Sequence, residues 1–87
     1  MKVQAEVSLY PLRTMTLTDS IDRFLRQLRE KGLEVQMGPI SSSVSGECRA
    51  VFDGLSAAFE DSARRGDVAA IIKVGNACPP WAEGDKQ

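Results

Sequence analysis

Polar residues that could bind a small molecule are concentrated in two short segments of the chain, residues 43–47 and 76–78. Their hydroxyl, carboxylate and amide groups donate and accept hydrogen bonds. Histidine, the commonest general base, metal ligand and partner of a nucleophile, is absent from the chain. These residue types therefore favour a binding site over a catalytic one, and we expect the protein not to be an enzyme.

Charge and hydropathy narrow the classes of partner. The formal net charge is −1 over 87 residues, whereas nucleic acid and anionic lipid attract clustered Lys and Arg. No apolar run has the length of a signal peptide or a membrane span. We therefore expect no nucleic-acid partner, no membrane insertion and a cytoplasmic location, where Cys48 and Cys78 would be free thiols.

The first half of the chain predicts a strand, a helix and a hairpin. Apolar residues alternate with polar ones over residues 3–9, which is typical of a strand with one buried face, and Pro11 ends it. Thr18 and Asp19 are expected to cap a helix that stops at Gly32. The hairpin has strands at residues 33–37 and 40–45, joined by a turn at Gly38-Pro39.

The second half predicts a helix and a final strand. The helix covers residues 47–64 and ends at Gly66. Residues 68–74 form a nearly continuous apolar run, as expected for a strand with most of its surface covered. The apolar stripe of the helix is predicted to contain Cys48, Val51, Phe52, Leu55, Ala58 and Phe59.

The element order βαββαβ predicts an α+β ferredoxin-like sandwich: a four-stranded antiparallel sheet of order 4-1-3-2 with both helices on one face. We expect one such domain over residues 1–79, followed by a short tail, residues 80–87. The other sheet face would have no helix over it. A second copy is expected to cover that face, giving a homodimer or a larger even oligomer; the alternative is a monomer with a solvated face.

This topology brings the end of the third strand close to the residues that follow the fourth, with only the first strand between them. The N-terminus of the second helix lies at the same end and offers backbone N–H groups, together with the Gln4 side chain. Each residue also has a purely structural interpretation. Ser45 and Glu47 would be helix-capping residues, Asn76 a turn residue, and Lys73 a cross-strand partner of Glu6.

Three segments of the chain together resemble the YkoF family: Glu6-Val7-Ser8-Leu9-Tyr10-Pro11-Leu12, Ser43-Val44-Ser45-Gly46-Glu47 and Asn76-Ala77-Cys78-Pro79. The resemblance implies binding of thiamine or hydroxymethylpyrimidine without chemical change, linked to uptake or salvage of the vitamin, and no required cofactor. Glu6 or Tyr10 would suit the cationic thiazolium ring, and thiamine is expected to bind better than its pyrophosphate. Topology and resemblance together predict ligand contacts at Glu6, Ser8, Tyr10, Ser42, Ser43, Gly46, Glu47, Asn76, Ala77 and Cys78.

Two other functional classes stay open on the sequence alone. Dimeric ferredoxin-like proteins include small cofactor-independent oxygenases, which often use His, Asn or Trp. A sheet face without helices also suits an interaction or regulatory domain that pairs with another protein.

Overall fold

The computed structural model describes residues 1–13 and 17–77. Three antiparallel strand pairings order the sheet β2-β3-β1-β4, which is the predicted order read from the other edge. The ferredoxin-like α+β fold is therefore confirmed. The elements are β1 (Lys2–Pro11), α1 (Leu17–Glu30), β2 (Glu34–Met37), β3 (Ser42–Glu47), α2 (Cys48–Arg65) and β4 (Val68–Gly75).

The alternation of β1 determines the two faces of the sheet. Val3, Ala5 and Val7 are buried in the core under the helices. Successive side chains of a strand point to opposite faces, so Gln4 and Glu6 point away from the helices. We call that second side of the sheet the open face.

Both helices bury the stripe that faces the sheet. In α1 the buried residues are Phe24, Leu25 and Leu28, with Ile21 partly buried beside them. The helix ends at Glu30, and Gly32 reverses the chain after it: its φ of +86° lies in the left-handed region, and the Leu33 amide bonds back to the Leu28 carbonyl. The prediction that Thr18 and Asp19 cap this helix is wrong, because the helix already begins at Leu17.

The stripe of α2 differs from the prediction at two positions. Val51, Leu55 and Ala58 are buried, but Phe52 is half exposed and Gly54 is buried instead. A side chain at position 54 would lie 2.9 Å from a methyl group of Leu33, a buried core residue. The helix therefore packs through its glycine and turns Phe52 outward.

The hairpin is shorter than predicted at its tip and longer at its far end. β3 begins at Ser42, because the Gly38 amide already bonds to the Ser41 carbonyl at 3.0 Å and closes the turn. Ile40 therefore belongs to the turn and is 87% exposed. At the other end β3 continues through Glu47, and α2 follows directly at Cys48.

The expectation that most of β4 is covered is wrong for the single chain. β4 is an edge strand, paired only with β1 in the described sheet. Ile71 and Ile72, which point to opposite faces, are 65% and 40% exposed. An apolar run predicts low exposure only where neighbours cover both faces, and here the helices leave this edge largely bare.

Asp61 joins the two helices. Its carboxylate on α2 accepts hydrogen bonds from Gln27 Nε2 at 2.7 Å and Arg23 Nε at 3.2 Å, both on α1. Arg65 Nε, one turn further along α2, donates at 3.3 Å. The hydrogen bonds from Gln27 and Arg23, with the positive charge of Arg23, hold the pKa of Asp61 below its ordinary value.

We expect Asp61→Asn to lower the melting temperature at neutral pH, because the ionised carboxylate is the acceptor of these bonds. A depressed folded-state pKa gives stability that is present above the unfolded-state pKa, about 4 for Asp, and is lost as the pH falls through the folded-state pKa. The difference in melting temperature between the two proteins should therefore shrink on acidification below about pH 4. Glu60→Gln, which removes the neighbouring exposed carboxylate, is the control; a difference that does not change with pH would contradict the assignment.

Candidate functional site

A cavity of about 520 Å³ lies at the end of the sheet where β1 begins and β3 and β4 end. Gln4 pairs with Ser45 on one side and with Gly75 on the other, and Ser45 pairs in turn with Glu34. These four residues form a row across the open face in which position 75 has no side chain. We call this space the Gln4 cavity; it is lined by Lys2, Val3, Gln4, Gly32, Glu34, Ser45, Gly46, Asn76 and Ala77.

Gln4 supplies the least satisfied polar atom of the described chain. Its side-chain oxygen Oε1 is buried and accepts no hydrogen bond among residues 1–13 and 17–77. A buried polar atom without a partner costs about 1–3 kcal/mol, and such atoms are rare in folded proteins. An acceptor without a partner among the described residues, on a side chain that lines a cavity, is a candidate to receive a hydrogen bond from a donor beyond those residues.

The next row across the open face contains a charged pair. Glu6 pairs with Ser43 of β3 and with Lys73 of β4. Ser41 Oγ donates to Glu6 Oε2 at 2.8 Å, and Lys73 Nζ lies 3.7 Å from Glu6 Oε1. The predicted contact between Glu6 and Lys73 is therefore confirmed. A smaller cavity of about 210 Å³, the Glu6 cavity, is lined by Glu6, Gln36, Met37, Gly38, Ser41, Ser42 and Ser43.

The structure assigns Glu47 to the N-terminus rather than to either cavity. Its Oε1 accepts from the Met1 amino group at 3.1 Å, and the Cys48 amide at the start of α2 donates to the Met1 carbonyl at 2.8 Å. One of the backbone N–H groups expected to be free at this helix terminus, that of Cys48, therefore bonds within the chain. Glu47 occupies the N-cap position of α2, as the capping interpretation has it, but its side chain makes no cap hydrogen bond, and Ser45 lies within β3.

The predicted ligand residues are divided between several places. Gly46, Asn76 and Ala77 line the Gln4 cavity as expected, and Glu6, Ser42 and Ser43 line the Glu6 cavity. Ser42 pairs with Val7 and is 7% exposed, so its side chain belongs to the helix side of the sheet.

The other three predicted ligand residues lie outside both cavities or outside the described part of the chain. Ser8 and Tyr10 lie further along β1, opposite Ile71 and Ala69 and outside both cavities. Cys78 lies outside the described residues.

Sequence reasoning placed Gln4 at the correct end of the sheet but not among the ligand contacts. The sequence pattern alone places the Gln4 amide on the open face of an inner strand, where it has neighbours on both sides. The pattern does not show that the strand register pairs Gln4 with Gly75. A side chain at position 75 would have occupied the space beside the amide.

A further cavity, of about 530 Å³, lies at the opposite end of the molecule and contains none of the predicted ligand residues. Four arginines line it together with three aspartates, and several of its charges are already paired within the chain. Arg13 bonds to Asp67, and Asp61 holds Arg23 and Arg65. These internal pairs leave it a weaker candidate than the Gln4 cavity, where the Gln4 oxygen has no partner in the part of the chain that the structure describes.

The described residues, 1–13 and 17–77, contain no group of three His, Cys, Asp or Glu side chains placed to share a metal ion. No helix among them is long and apolar enough to cross a membrane.

A sequence model of the YKOF-related family matches residues 2–79. The chain belongs to the YkoF-related family. This match covers every segment that carried the resemblance, including Ser43–Glu47, which contains the Gln4-cavity residues Ser45 and Gly46, and Asn76–Pro79 after β4. No curated protein matches the chain.

Solved structures share the fold of this YkoF-related domain at low sequence identity. A Streptococcus pneumoniae protein is 20% identical, with a TM-score of 0.81, and the alignment covers 99% of this chain and 97% of that one. A Methanocaldococcus jannaschii protein is 18% identical with the same TM-score, covering 97% of both chains. A Thermotoga maritima protein, for which a role in thiamine biosynthesis or salvage has been proposed, is 15% identical with a TM-score of 0.81 and full coverage of both chains. At these identities the likeness establishes the fold alone.

Proposed function

We propose that this YkoF-related domain binds thiamine or its hydroxymethylpyrimidine fragment without altering it. The observation that carries the proposal is the buried, unpaired oxygen of Gln4 beside a cavity of about 520 Å³. An aminopyrimidine presents an amino donor next to ring-nitrogen acceptors. A primary amide presents the complementary acceptor and donors, so Gln4 can bond to both.

The rest of the Gln4 cavity supports the same ligand class. Its volume lies within the range of about 300–1,000 Å³ typical of small-molecule sites. The Ser45 hydroxyl and the Asn76 amide line it together with Gln4, so three neutral polar groups from three strands or strand ends converge. Neutral donors and acceptors suit the pyrimidine ring, which carries no charge.

Charge near the cavity favours thiamine over its pyrophosphate. Glu34 lines the cavity and Glu6 lies in the next row of the open face. A lysine balances each carboxylate, since Lys2 lines the cavity with Glu34 and Lys73 lies beside Glu6, so this region has no net positive charge to bind the phosphates of the pyrophosphate. The proposal assigns no catalytic residue and no cofactor.

Membership of the YkoF-related family and the thiamine-related role proposed for the Thermotoga maritima neighbour point to the same vitamin. Neither defines the ligand of this chain. The family and the unpaired Gln4 oxygen are independent lines of support, because one rests on sequence and the other on the geometry of a single side chain.

We further propose that a second copy of the chain covers the apolar end of the open face. Ile71 and Tyr10 are 65% and 46% exposed there, next to Ala69 and Ser8. An apolar patch on a sheet edge is a typical association site. A second copy suits it because the four paired residues there, Ser8, Tyr10, Ala69 and Ile71, carry no charge that would repel an identical surface.

Calorimetric titration tests the binding proposal directly. We expect saturable binding of thiamine and of hydroxymethylpyrimidine near one per chain, and weaker binding of thiamine pyrophosphate at the same salt concentration. Comparable affinity for thiamine and its pyrophosphate would contradict the charge argument. No heat and no thermal stabilisation with any of the three would contradict vitamin binding and favour an interaction domain.

Gln4→Met tests the observation that carries the proposal. The variant keeps the side-chain size and removes the amide, so ligand affinity should fall by about two- to tenfold, the value of one neutral hydrogen bond. The melting temperature should stay the same or rise, because the buried unpaired oxygen is gone. Asn76→Ala should also weaken binding without unfolding, since Asn76 is exposed.

Gln36→Met is the matched control for this pair. It makes the same substitution on the open face one row away, outside the Gln4 cavity, and should leave hydroxymethylpyrimidine affinity unchanged. A Gln4→Met variant that binds as tightly as the unmodified protein would remove Gln4 from the site.

The assembly is tested by the mass of the protein in solution, measured by light scattering after size exclusion. We expect a dimer or a larger even oligomer. Ile71→Glu should shift it to the monomer, because two carboxylates would be buried at the contact. Ile40→Glu, a charge on an 87% exposed turn residue, should not. A monomeric unmodified protein would refute the assembly and leave the ligand proposal standing.

A further inference from the structure

Glu6 lies two residues after Gln4 in β1, and both side chains are on the open face of the sheet. Residues two apart on a strand are about 7 Å apart and share a face, and the intervening Ala5 is fully buried on the other side. A ligand with two linked rings that places one ring at Gln4 therefore brings its second ring to Glu6. Thiamine has this form, since one methylene carbon joins its pyrimidine to its thiazolium ring.

We propose that Glu6 binds the cationic ring of thiamine, and that Lys73 competes with that ring for the Glu6 carboxylate. This inference rests on the proposed function and extends it to the choice between two ligands. Tyr10, the other predicted partner of the cation, lies about 20 Å from Gln4 along β1, too far for one small molecule to touch both.

The hydrogen bonding of Glu6 suits this role. Ser41 Oγ donates to Oε2 at 2.8 Å and fixes one side of the carboxylate. The other oxygen, Oε1, faces Lys73 Nζ at 3.7 Å, which is beyond hydrogen-bond distance. The Glu6 side chain is 45% exposed, so a ligand can reach it.

A cationic ligand can displace the Lys73 ammonium from the Glu6 carboxylate. Its side chain is 83% exposed and contacts Glu6 from the edge strand. An exposed ion pair of this kind contributes little to stability, and the flexible lysine stem can move into solvent. The thiazolium ring carries a permanent positive charge. It would therefore replace one cation by another at the same carboxylate.

Discrimination between the two ligands follows from this arrangement. Hydroxymethylpyrimidine has no cationic ring and would contact only the Gln4 cavity. Thiamine gains the Glu6 contact but must displace Lys73. Glu6 thus raises the preference for thiamine and Lys73 limits it.

The experiment measures the dissociation constants of hydroxymethylpyrimidine and thiamine by calorimetry for the unmodified protein and for Glu6→Gln, Lys73→Gln and Arg64→Gln. The readout is the ratio of the two constants. Glu6→Gln should lower the preference for thiamine by about two- to fivefold, and Lys73→Gln should raise it by a similar factor, as expected for exposed charge pairs. Arg64→Gln removes an exposed positive charge from α2 and should leave the ratio unchanged.

The outcomes separate this inference from the proposed function. If both ligands bind and the ratio stays the same in folded Glu6→Gln and Lys73→Gln, the inference is overturned while the proposed function stands. A ratio that falls in Lys73→Gln also overturns it, because Lys73 would then assist the ligand. If the unmodified protein binds neither ligand, the proposed function fails and this inference with it.

Discussion

The structure depends on the register of β1, the strand that pairs with β3 on one side and β4 on the other. Its odd residues from Val3 to Val7 are buried in the core, and the even residues lie on the open face. A shift of one residue would expose the apolar side chains and bury Gln4 and Glu6. The cost of that exchange fixes the register, and the register in turn places Gln4 between Ser45 and Gly75.

Core packing also positions the wall of the Gln4 cavity. A Cβ at Gly46 would lie 2.7 Å from the buried side chain of Leu33, and a Cβ at Gly54 would lie 2.9 Å from it, which is closer than side chains pack. Leu33 therefore connects the start of the hairpin with the end of β3 and with α2. Because Gly46 also lines the cavity, the shape of the candidate site depends on how closely the core packs around this glycine.

Sequence periodicity was sufficient for the element order, the sheet order and the meeting of residues 45–46 with residues 76–77. These features depend on which face of each element is apolar and on handedness rules that hold for most proteins. Periodicity says less about neighbours. The exposure of Ile71 depends on β4 being an edge strand, and the outward turn of Phe52 depends on the contact between Gly54 and Leu33.

The site was harder to predict than the fold for a related reason. Glu47 has the residue type and position of a ligand contact, yet it bonds to the amino group of Met1, a partner that no local pattern indicates. Gln4 has an ordinary position in an alternating strand and becomes notable only because its oxygen is buried without a partner among residues 1–13 and 17–77. Hydrogen-bond satisfaction is a property of the folded environment, so it can be read only after the fold is known.

The open face is where the chain departs from what stability alone would favour. The helix side of the sheet is closely packed and apolar, whereas the open face holds a buried acceptor without a donor, a loosely paired lysine and exposed isoleucine. These residues lie outside the core, so replacing them by residues that suit their surroundings would leave the packing of the core unchanged. Departures from local consistency in natural proteins concentrate at functional sites. Their arrangement on one face, polar at the end with Gln4 and apolar at the end with Tyr10, is the one that the proposed ligand at one end and the proposed second copy at the other would require.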